Sequence, residues 1–104
     1  MAITNILQGA EITVSATPQK LFTTNAQNRL SYRIFVPRVS PVAVLVMALP
    51  AGSSAPTQAT MLAKADFSVA PGSTLEDNIP NTFDIWIVSE TSGTVTITGK
   101  EIIS

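Results

Sequence analysis

Three lysines, Lys20, Lys64 and Lys100, and an ample supply of serines are the residues from which a nucleophilic site could be built, because the chain has no His and no Cys. A hydrolase without His needs a rarer arrangement such as a Ser–Lys pair. None of the three lysines sits in a nucleophile motif, so each is expected on solvated surface. Glu76 and Asp77 are adjacent carboxylates in a stretch that reads as a turn. Glycoside hydrolysis needs two carboxyls roughly 5–10 Å apart across a substrate. Asp84 or Glu90 could supply the second, but nothing builds a saccharide cleft around them. A calcium site needs several clustered oxygen ligands, and Asp66, Glu76 and Asp77 are too sparse for one. Ala70-Pro-Gly-Ser-Thr is a turn with a single glycine, not a phosphate cradle. No catalytic, cofactor-binding or metal-binding residue is therefore assigned; no cofactor is expected, and no enzyme.

Trp86 has two readings. An indole on a sheet can stack on a sugar or a base, but between Ile85 and Ile87 it is expected in the core or at an interface. Arg29, Arg33 and Arg38 are the one group of neighbouring cations. They could meet an acidic partner; Arg33 falls on the polar face of a strand, where a solvated or salt-bridged role is the plainer expectation. A formal net charge of −1 argues against nucleic acid as a partner, since such binding needs a basic face that displaces counterions.

The elements that would hold these residues are strands. Ile12, Val14 and Ala16 alternate with Glu11, Thr13 and Ser15, the period of a half-buried strand, and Pro18, with no N–H to donate, ends that ladder. Leu21 and Phe22 follow, then a polar turn over residues 23–28. Leu30, Tyr32, Ile34 and Val36 share one face of the next strand; Ser31, Arg33 and Phe35 share the other. Residues 42–49 are apolar on both faces and rich in β-branched side chains, so they call for cover on both sides. Residues 50–57 form a loop by their Pro, Gly and Ser content. Residues 60–69 admit a short helix, but Ala65, Phe67 and Val69 alternate and Ala70-Pro-Gly-Ser makes a tight turn behind them. We read that stretch as a strand. Asn78-Ile-Pro-Asn is another turn. Phe83, Ile85 and Ile87 then face one way, with Asp84, Trp86 and Val88 opposite. Residues 91–93 are expected as a hairpin turn before a Thr/Val strand, and Gly99 as a bulge. Six to eight short strands at this spacing predict an all-β fold, a single antiparallel β-sandwich or jelly-roll-like barrel.

Composition says more about function than any motif. Hydrophobic residues make up 45% of the 104 and charged residues 12%, against roughly 25% charged in an ordinary soluble domain. A single small domain has the most surface to cover for its volume, so neighbouring subunits are expected to cover part of it. Residues 1–8 lack the basic and apolar regions of a secretory signal and read as an arm ahead of a sandwich domain over residues 9–104. The longest apolar run is far short of the ~20 residues of a membrane helix, so no membrane partner is expected. Candidate interface residues are Ile3, Ile6 and Leu7 in the arm, Val44 and Val46 in the apolar strand, Trp86, and Ile102 and Ile103 at the end of the chain.

Four segments carry a family resemblance: Ile12-Thr-Val-Ser-Ala-Thr-Pro-Gln-Lys-Leu, Arg29-Leu-Ser-Tyr-Arg-Ile-Phe-Val, Ala70-Pro-Gly-Ser-Thr-Leu, and the stretch from Phe83 through the Thr/Val strand. Their order resembles the small all-β virion proteins of tailed bacteriophages that decorate or cement capsids or form head fibres. About half the chain follows that pattern, while residues 39–61 are longer and more apolar than it. The resemblance implies a non-enzymatic virion structural protein, most concretely a capsid decoration or cement subunit assembled in the host cytoplasm. Its partners would be the major capsid protein or other virion proteins and copies of itself, with a trimer favoured. The alternative is a receptor- or carbohydrate-binding sandwich on a fibre or tail, using Trp86, Tyr32 or residues 53–60, or a tail or connector subunit.

Overall fold

The computed structural model describes residues 5–6, 10–21, 29–80 and 82–103. Its strands are β1 (Asn5–Ile6), β2 (Ala10–Val14), β3 (Gln19–Lys20), β4 (Arg29–Phe35), β5 (Val44–Pro50), β6 (Phe67–Val69), β7 (Thr74–Asp77), β8 (Phe83–Ser89) and β9 (Val95–Ile103), with one helix, α1 (Gln58–Lys64), between β5 and β6. Sheet A runs β2-β9-β4-β7, with the two-residue β1 pairing the far end of β9; sheet B runs β3-β8-β5-β6. All pairings are antiparallel. This interleaved order, over the eight strands from β2 onward, is that of a jelly roll, two Greek keys folded into a sandwich. The all-β sandwich expected from the alternation is the fold observed.

The chain changes sheet at every connection from β2 onward except the one through α1, which joins β5 to β6 within sheet B. Alternation explains why that works. Val14, Tyr32, Ile34 and Ile97 point inward from sheet A and meet Val44, Val46, Ile85 and Ile87 from sheet B in one buried core. Each such side chain contributes about 1.5–3 kcal/mol by leaving water. Pro18 sits where the chain leaves β2 for β3, as its missing donor requires. The Ala70–Ser73 turn carries the chain from β6 to β7: Gly72 takes φ +83°, Ser73 N–H donates to Ala70 O at 3.0 Å, and Pro71 precedes the glycine, the arrangement of a type II turn.

Four expectations are corrected. Residues 58–64 are helical, not extended; the strand pattern holds only from Phe67. Residues 91–93 do not close a hairpin, because β8 and β9 lie in different sheets. Gly99 pairs in register with both Ala10 and Ile34, and the irregularity falls between Arg29 and Ser31 instead. Glu76 and Asp77 lie on β7, not in a turn. The polar turn at residues 23–28 lies outside the described residues.

Sheet B is apolar on both faces, as residues 42–49 require. Its outer face carries Leu45, Trp86 and Val88 under Met61 of α1, with Met47, Leu49 and Ala65 packed around them. Met61 is fully buried. The helix is started by Thr57, whose Oγ1 accepts from Thr60 N–H at 3.1 Å, and apart from Thr60 is built from Ala, Met, Leu, Gln and Lys, all good helix formers.

Candidate functional site

The residues weighed for catalysis are dispersed. Lys20 lies 3.4 Å from Asp84, and Asp84 also accepts from Gly52 N–H at 3.2 Å. Arg33 meets Glu76 across β4 and β7 at 3.3 Å. Asp77, next along β7, accepts from Asn78 N–H at 2.9 Å, so neighbouring carboxylates project to different sides of the strand. Asp66 accepts from Ala48 N–H at 2.9 Å. Lys64 is exposed at the end of α1. Among the described residues no group of three or more His, Cys, Asp or Glu comes together that could hold a metal ion. No helix among them is long and apolar enough to cross a membrane.

The candidate interface residues separate into three groups. Val44 and Val46 are enclosed in the central core, and Trp86, 6% exposed, in the cluster under α1. Their cover comes from within the chain, because α1 supplies the second face that β5 needed. Ile6, Ile102 and Ile103 lie on paired strands: Ile6 opposes Ile102, and Ile103 opposes both Asn5 and Arg29. Ile3 and Leu7 lie outside the described residues. The aromatics weighed for ligand stacking, Trp86 and Tyr32, are both buried.

Among the described residues the large exposed apolar side chains are others: Phe35 (40% exposed), Val39 (91%), Leu62 (56%), Phe67 and Phe83. Two of them mark a surface on the outer side of sheet A. A groove of about 330 Å³ runs between β2, β9 and the β4–β5 connection, lined by Glu11, Pro37, Val39, Pro41 and Thr96 among others. A smaller hollow of about 190 Å³ adjoins it, lined by Arg33, Phe35, Thr74, Thr98 and Lys100. Thr98 borders both. Register explains the arrangement: Glu11 opposes Thr98, Thr98 opposes Phe35, and Phe35 opposes Thr74, so the four form one row across the sheet. The next row holds Lys100, Arg33 and Glu76. Phe35 was readable in sequence as an aromatic on a polar strand face. Val39 was not, since nothing in its pattern separates it from the apolar run that follows.

No protein-family model matches the chain, and no curated protein matches it either. Among solved structures, a Bacillus endospore appendage protein, from appendages described as disulfide-linked pili, matches with a TM-score of 0.62 at 13% identity, covering 98% of this chain and 87% of its own. The likeness is one of fold. In place of the phage capsid protein that the segment order suggested, the match is a pilus protein.

Proposed function

We propose that this chain is a non-enzymatic structural subunit that assembles with copies of itself into a repeating polymer. The observation that carries the reading is the end-to-end likeness of its jelly roll to a pilus protein. Its low charge supports it: 12% charged residues and exposed Phe35, Val39 and Leu62 suit a surface that is partly covered in use. The chain has no Cys, so its contacts cannot be disulfide links. The narrower role on a phage shell rests on segment order alone, and the polymer reading is adopted in preference.

Light scattering on a sizing column across a concentration series, followed by negative-stain microscopy, tests the proposal. Growth past a small closed ring into filaments is the expected result. A monomer at every concentration overturns it, and a discrete trimer replaces it with a closed assembly.

A further inference from the structure

Resting on that polymer reading, we infer that copies stack face to back, with the groove on the outer side of sheet A seating the α1 face of the next copy. The two surfaces lie on opposite sides of the sandwich: Phe35 points outward from sheet A, while α1 covers the outer side of sheet B. Each carries an exposed apolar centre. On the front it is Val39 with Phe35; on the back it is Leu62. Leu62 is the one large apolar side chain of α1 that is exposed, Met61 beside it being fully buried.

Charge fixes the fit and its direction. On the front, Glu11 lies across from Thr98, and Lys100 is two residues further along β9, a diagonal of about 7–8 Å between backbones. On the back, Lys64 ends α1. The start of α1 lies over residues 89–91, because Gln58 Nε2 donates to Ser89 O at 2.9 Å and Thr91 O at 3.1 Å. That puts exposed Glu90 near the start of the helix and Lys64 at its end, the helix itself rising about 9 Å from Gln58 to Lys64. None of Glu11, Lys100, Lys64 and Glu90 has an ion-pair partner among the described residues. The front therefore sets an acid and a base beside its apolar groove, and the back sets a base and an acid on either side of Leu62. Glu11 meets Lys64 and Lys100 meets Glu90 in one orientation; reversing it opposes like charges. A contact between two different faces of one chain is heterologous and propagates into a filament, or a ring if the rotation closes.

The test uses the full chain in sedimentation velocity, with far-UV circular dichroism to show that each variant is folded. V39D and L62D, both at exposed positions, are expected to weaken association by about a hundredfold or more. E11K and K64E are expected to weaken it about tenfold each, and the E11K/K64E double variant to recover most of the loss. An equimolar mixture of V39D and L62D has one intact front and one intact back, so it is expected to form a 1:1 dimer and nothing larger. Wild-type polymer with unaffected variants, or a mixture that stays monomeric, overturns the stacking and leaves the polymer reading standing. That result would point to the sheet edges or the arm as the contact. A wild-type chain that stays monomeric overturns both.

Discussion

The Lys20 ammonium lies 5.8 Å from the centroid of the Trp86 ring and 3.4 Å from Asp84, so a cation rests over an indole that is otherwise enclosed. The indole Nε1–H is buried without a hydrogen-bond partner among the described residues. An unsatisfied buried donor costs about 1–3 kcal/mol, which sets apart two substitutions at this position. Trp86→Phe removes the orphan donor and keeps most of the apolar bulk, so a stability change under about 1 kcal/mol is expected in urea unfolding. Trp86→Ala leaves a cavity under α1 and should cost about 3–5 kcal/mol. Gly72 and Gly52 pose a different question. Both have φ near +85° (+83° and +87°), yet a Cβ at Gly52 would meet nothing within 4 Å and one at Gly72 only Arg38 at 3.8 Å. Backbone conformation alone should then set the cost of an alanine, about 1–2 kcal/mol at either position. If the two differ by more than that, crowding and not φ is the cause.

At the level of elements, α1 is where local and tertiary preferences had to be weighed. Ala65, Phe67 and Val69 alternate as a strand would, and a seven-residue helix is too short to display a full 3.6-residue period. The informative signal was at its start: Thr57 three residues before Thr60, followed by good helix formers. Thr57→Ala is expected to cost about 1 kcal/mol by losing that cap, and Met61→Ala about 2–5 kcal/mol by emptying the cluster between α1 and sheet B. Thermal unfolding measures both, and a negligible effect of Met61→Ala would mean the helix is not held by its packing. The need for cover on both faces of β5 was legible in residues 42–49, whereas the source of that cover was not. Likewise residues 91–93 read as a break between strands, but whether such a break joins neighbours in one sheet or crosses between two depends on long-range pairing that local residues do not encode. The charge pattern of the sheet A face was legible only once register placed Glu11, Thr98 and Phe35 in a single row.

For the whole molecule, much of the hydrophobic excess is absorbed by two buried clusters, one inside the sandwich and one under α1. What remains outside is small, so assembly through it should be weak per contact and sensitive to conditions. Both facing ion pairs of the proposed stack are on exposed residues, where salt screens effectively. Raising ionic strength should therefore shorten polymers while leaving the unfolding midpoint of the isolated subunit nearly unchanged; parallel shifts in both would argue that the charges act within the fold. The position of β9 has a consequence in time. It is the last strand in chain order, yet it lies between β2 and β4 and pairs with both, and with β1. During synthesis β2 has no partner in the sheet, and β4 only β7, until residues 95–103 have cleared the ribosome. Sheet A thus stays incomplete until the chain has been made through β9, and its closure is a long-range event of the slow kind.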